Sequence, residues 1–244
     1  MSMFVLVHGA YHGGWCWSRL VPELESLGHR ALTPDLPCDD PTAGHAANVA
    51  TVLAAMDEAD AGSDVVVVGH SLGGFTAPLV AQQRAVRRVV FLCTAPVIGG
   101  GVADDLRERL VTERYGAMVR FRDENGRALM SPADAGHGFY HDCDNTTAAW
   151  AIARLRPQSA LPLTEPWPLT AWPDVARSVI LARDDRAVRF DAGMEAGRLI
   201  LDGADPIVID GSHSPFFAPG RARPPASQNE RLTVATTRKA GADD

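Results

Sequence analysis

The stretch "DVVVVGHSLGGFTAPLV" (64–80) runs four valines into a turn, sets Ser71 between Gly69 and Gly73, and continues with helical period. Two readings compete. One is a strand, a glycine-rich turn and a serine that caps the next helix. The other is a Gly-x-Ser-x-Gly elbow, Gly69-His70-Ser71-Leu72-Gly73, that presents Ser71 as a nucleophile. The elbow needs its glycines because the turn is sharp, the serine backbone is strained and its neighbours must be small. The local pattern admits both, so the choice rests on what lies elsewhere in the chain.

Outward from this stretch, short apolar runs alternate with segments of helical period. Strands are expected at 3–9, 29–37, 64–70, 86–95, 177–185 and 205–212, and helices at 15–28, 46–60, 72–84 and 190–200. Fully apolar strands alternating with helices predict an α/β fold with about six mainly parallel strands, doubly wound and covered on both faces. Ligands of such sheets gather beyond the carboxyl ends of the strands. The stretch 97–170 breaks the alternation with a charged helix, a hairpin around Asn125-Gly126, "FYHDC" (139–143) and a proline-rich run. It reads as a cap inserted after the fourth strand. The organisation expected is a core of 1–96 and 171–218, a cap of 97–170 and a polar tail of 219–244, with at most a short helix near 227–236.

A chain of 244 residues suits one domain with an insertion and could bury roughly 70–75% of its unfolded surface. A formal net charge of −7 argues against nucleic acid as a partner, which needs a basic face. Cys16, Cys38, Cys93 and Cys143 show no paired spacing and no clustering with histidines, so they read as buried small residues rather than a disulfide frame or a metal site. The N-terminus lacks the charged start of a signal peptide, and no apolar run is long enough for a membrane helix. A cytoplasmic protein without a membrane partner is expected, with a homodimer left open. The Gly-x-Gly of "VIGGGV" lacks the spacing of a dinucleotide site, so no cofactor is implied.

A serine hydroxyl is a weak nucleophile at neutral pH and needs a base within hydrogen-bond reach. His213, in "VIDGSHSPFF" straight after the last strand, is the candidate base. The third member should be a carboxylate that orients the imidazole, and "SVILARDDRAV" ends a strand with two, Asp184 and Asp185. The chain order Ser, Asp, His is that of an α/β-hydrolase. Acyl transfer also needs donors for a developing oxyanion. The backbone N–H groups of Leu72 and of Ala10, in "HGAYHGGW" (8–15), are the candidates. Of the other histidines, His8 is expected to shape that loop and His70 to pack under the elbow, while His12, His137 and His141 are candidates for the pocket wall.

With these residues placed, the chain resembles α/β-hydrolases of the plant methylesterase and hydroxynitrile-lyase type and their bacterial esterase relatives. The resemblance is carried by "FVLVHGAYHGGWCW" (4–17), "LTPDLP" (32–37), "VVVVGHSLGG" (65–74), "FYHDC", "ARLRPQ" (153–158), "ARDDRAV" (182–188) and "GSHSPF" (211–216). It implies Asp185 rather than Asp184 as the acid, because the family's acid is followed by a basic or polar residue, a variable one, then Ile or Val. The lyases of this branch carry Thr where this chain has Gly9 and Lys where it has Ser214, so the resemblance implies an esterase. The function expected is cleavage of a small or medium apolar ester through an acyl-enzyme on Ser71. Alternatives on the same site are a tailoring enzyme of secondary metabolism (thioesterase, cyclase or C–C hydrolase), a hydroxynitrile lyase, or a non-catalytic small-ligand receptor. Relatives usually close with an apolar helix after "SPF", which 219–244 does not show.

Overall fold

A computed structural model describes residues 1–99, 102–118 and 122–217. The polar tail and its expected helix near 227–236 lie outside these residues. The strands are β1 (Met3–Val7), β2 (Arg30–Leu32), β3 (Val65–His70), β4 (Arg88–Leu92), β5 (Ala176–Ala182) and β6 (Ile207–Ile209). They form one sheet in the order β2-β1-β3-β4-β5-β6, and every pair is parallel.

Alternation along the strands feeds two cores. Val5 and Val7 of β1, Val65 and Val67 of β3, and Val89 and Phe91 of β4 face one side, where α2 (His45–Glu58), α3 (Gly73–Gln83) and α9 (Phe190–Ile200) cover them. Leu6, Val66, Val68 and Leu92 face the other, with Trp17, Phe139, Tyr140, Phe217 and the apolar side of α1 (Leu20–Ser26). A strand between two covered faces has no wet side, which is why all six residues of β3 are buried.

Several expected elements are shorter than the pattern suggested, β6 among them at Ile207–Ile209, and two have a plain local cause. The second strand stops at Leu32, because Pro34 and Pro37 have no N–H to donate to a ladder. The helix expected over 15–28 is a 3₁₀ turn at Gly14–Trp17 followed by α1. Restarting the helix puts Pro22 in a first turn, where its missing N–H costs nothing, and the chain leaves α1 through Gly28 at φ 79°.

Between β4 and β5 lie α4 (Val102–Leu110), α5 (Glu113–Met118), α6 (Pro132–Gly138), α7 (Asn145–Ile152) and the single turn α8 (Leu161–Thr164). The turn at Asn125-Gly126 carries one antiparallel bridge, Arg122 to Ala128, with Gly126 at φ 75°. Further bridges join Ala128 to Gln158 and Val111 to Val188. Among the described residues no helix is long and apolar enough to cross a membrane.

Candidate active site

β3 ends at His70, and Ser71 stands at φ 49°, a conformation that costs a non-glycine residue strain. Its N–H donates to Leu92 O at 3.0 Å and its carbonyl accepts from Gly74 N at 2.9 Å, so strand and helix both clamp the turn. The motif glycines are there for close approach. A Cβ on Gly69 would lie 2.5 Å from Gly73 O, and one on Gly73 would lie 2.6 Å from the carbonyl oxygens of both Val7 and His8. Helix α3 therefore begins pressed against the end of β1.

The loops after β5 and β6 bring two further candidates to Ser71. His213 Nε2 is 2.9 Å from Ser71 Oγ, and its Nδ1 is 2.8 Å from Asp185 Oδ2. The second oxygen of Asp185 accepts the N–H groups of Ala187 and Val188 at 2.8 and 2.9 Å, which fixes the carboxylate. Both the His213 and Asp185 side chains are almost wholly buried. Asp184 is exposed and lies outside this chain of contacts, its carbonyl accepting His141 Nε2 at 2.9 Å. The ring of Phe139 stacks on His213, with centroids 5.5 Å apart. "FYHDC" also braces the histidine loop: Ser212 donates through Oγ to Phe139 O and through N–H to Asp142 Oδ2.

Ala10 and Leu72 line the same cavity as Ser71 and His213. Among the described residues neither of their N–H groups donates a hydrogen bond. The loop that carries Ala10 is heavily tied. His12 Nδ1 bonds Ala10 O at 2.7 Å, and the Tyr140 hydroxyl donates to His12 Nε2 at 2.7 Å. Tyr11, at φ 67°, donates its N–H to Gln158 Oε1, and its carbonyl accepts the Arg156 N–H at 2.8 Å. The Arg156 guanidinium adds bonds to the carbonyls of His12 and Leu36. His8 bonds Gly9 O through Nδ1 and accepts Leu36 N–H at Nε2. Burial, partly offset by those carbonyl bonds, lowers the His8 pKa to about 4 and that of His12 to about 3. Both are neutral struts.

His70 packs beneath the elbow, its Nε2 on His213 O at 2.8 Å. His12, His137 and His141 do not line the cavity, contrary to expectation, because His12 is consumed by the Ala10 loop and His141 faces the outer side of the β5 loop. His45, at the start of α2, does line it. The cavity measures about 480 Å³ and is mainly apolar. One wall comes from the segment between β4 and β5, through Leu110, Tyr115 and Pro162–Trp167. Sequence reasoning missed Tyr115, Arg156 and Gln158 as site residues; "ARLRPQ" was the available signal for the last two.

The profile of the Alpha/beta hydrolase family matches residues 4–223. Norfluorocurarine synthase 1 of a Strychnos species is 41% identical over 87 residues, 33% of this chain and 33% of that one. The carbendazim hydrolyzing esterase of a Nocardioides species is 39% identical over 103 residues, 38% of this chain and 41% of that one. Each alignment thus spans less than half of the relative's own length. A methylesterase of Arabidopsis shares the fold, with a TM-score of 0.71 over 97% of this chain and 99% of that one, at 22% identity. The chain belongs to the alpha/beta hydrolase family.

Proposed function

We propose that this hydrolase cleaves carboxylic esters of small or medium-sized, mainly apolar substrates through a covalent acyl-enzyme. The observation that carries the reading is the unbroken line from Ser71 Oγ through His213 to Asp185, with spacings of 2.9 and 2.8 Å, beside an apolar cavity. Ser71 Oγ attacks the ester carbonyl carbon while its proton passes to His213 Nε2. Asp185 accepts the Nδ1–H, fixes the tautomer and stabilises the imidazolium. The Ala10 and Leu72 N–H groups hold the oxyanion. His213 then returns the proton to the departing alkoxide, leaving acyl-Ser71 and free alcohol. Water attacks the acyl carbon, gives a proton to His213, and the acid leaves as the Ser71 hydroxyl is restored.

The surroundings favour an esterase over a lyase. A Cβ on Gly9 would stand 2.9 Å from both Ser71 Cβ and His70 Nδ1, which leaves no room for the threonine of the lyases that this chain resembles. Ser214 is fully buried, so a lysine charge there would be desolvated. Residues 97–170 act as the cap and set the acyl and alcohol groups accepted. The four free cysteines support a cytoplasmic setting. A second reading, a tailoring reaction on the same serine, is favoured by the likeness to a protein named a synthase. A panel of methyl and aryl esters tests the first reading. Turnover that falls by about 10³-fold or more in Ser71→Ala supports it, and full turnover in that variant contradicts it.

A further inference from the structure

The cavity holds a hydrogen-bond donor that the proposed reaction does not use. Tyr115 lines it with Ser71 and His213, and among the described residues its hydroxyl has no hydrogen-bond partner. The hydroxyl of Tyr11 is also unpartnered, but it is sealed away from solvent and its residue does not line the cavity.

Tyr115 is rigidly placed. Its N–H donates to Thr112 Oγ1 at 3.2 Å, Thr112 Oγ1 donates to Arg186 O at 2.8 Å, and Thr112 N–H donates to Ala187 O at 3.0 Å. Arg186 and Ala187 directly follow Asp185, so the start of α5 and the carboxylate turn form one unit. The Tyr115 ring packs 5.8 Å from that of Phe139 and 6.5 Å from that of His213. Burial, reinforced by Tyr11 and Asp185, pushes the phenol far above its ordinary range, so it is neutral and donates. A phenol O–H left without a partner forfeits free energy that an incoming acceptor restores. The cavity's carboxylate, on Glu165, is already bonded to His45 N–H.

We propose that Tyr115 is a specificity residue whose hydroxyl donates to an ether or carbonyl oxygen carried by the substrate outside the reacting ester. The substrate class is then an oxygenated ester rather than one with a purely hydrocarbon acyl chain. This rests on the ester-hydrolase reading and narrows it.

The test uses a series of methyl alkanoates in which oxygen replaces one methylene at successive positions along the acyl chain. Binding to Ser71→Ala is measured by calorimetry and compared with Ser71→Ala carrying Tyr115→Phe, which keeps the ring. One oxygen position is expected to bind roughly 3- to 10-fold tighter than its hydrocarbon counterpart, and Tyr115→Phe should abolish that preference alone. Equal binding across the series, no binding of any member, or a preference that survives Tyr115→Phe overturns the proposal. Turnover of the same esters by the unmodified protein is scored separately. Its absence counts against the hydrolase reading, whereas turnover without positional preference counts against the role of Tyr115.

Discussion

Gln158 holds Tyr11 by its backbone: the side-chain Oε1 accepts the Tyr11 N–H at 3.2 Å, while Tyr11 itself sits at φ 67°. Tyr11 follows Ala10, so this contact holds the peptide next to the one that carries a proposed oxyanion donor. A donor that turns away from the oxyanion is worth little. Gln158→Ala should therefore lower kcat by about ten-fold or more while KM moves less, because the bond matters most when charge develops. Steady-state kinetics on one ester, with thermal melting as a control for folding, checks this. A change confined to KM would contradict it.

Asp184 and Asp185 are neighbours with opposite surroundings, and exchanging each for asparagine separates them. Asp185→Asn loses the carboxylate facing His213 Nδ1 and should cost about 10³–10⁴ in kcat. Asp184→Asn changes an exposed side chain and should stay within about two-fold of the parent. Equal losses in the two variants would contradict the assignment.

Gly9 has no space for a methyl group, since a Cβ there meets both Ser71 Cβ and His70 Nδ1 at 2.9 Å. Neither neighbour can yield easily, because Ser71 is clamped by strand and helix and His70 is bonded to His213 O. Gly9→Ala should lower stability by about 1–3 kcal/mol and depress activity beyond that, by displacing the serine. Urea denaturation and ester turnover measure the two effects. A variant as stable and active as the parent would show that the elbow yields more than this packing implies.

Acid should weaken the fold before the carboxylates titrate. Well above pH 6.5 neither the folded nor the unfolded chain is protonated at His8 or His12. Below it the unfolded chain takes up protons that the folded protein refuses until about pH 4 at His8 and about pH 3 at His12. Stability is therefore lost as pH falls from about 6.5 toward 4, at up to ~1.4 kcal/mol per pH unit for each site. Urea midpoints between pH 7 and pH 4.5 should decline steadily, and a flat profile there would contradict neutral buried struts.

The sheet was legible because each strand is a short apolar run beside a turn, and a run such as "VVVV" needs no distant contact to be read. Ser71, Asp185 and His213 were legible because such sheets gather ligand-binding groups at strand ends, and each follows a strand. Asp185 over Asp184 was not decided by that logic, since both follow β5; the resemblance decided it. The wall of the cavity was far less legible. Tyr115 stands in a segment without clear period, and what gives it meaning is a set of contacts with Phe139, Thr112 and the loop after Asp185. Arg156 and Gln158 act on carbonyl and N–H groups more than 140 residues away in the chain. His12 looked like a pocket histidine because nothing local reveals that Ala10 O and Tyr140 use both of its nitrogens.

The role given to Ser71 is tested most directly by covalent labelling. The purified protein would be treated with a serine-reactive fluorophosphonate, digested, and the modified residue located by mass spectrometry. Stoichiometric labelling at Ser71, abolished in His213→Ala and accompanied by loss of ester turnover, is the predicted result. Turnover that persists with Ser71 fully labelled would contradict it.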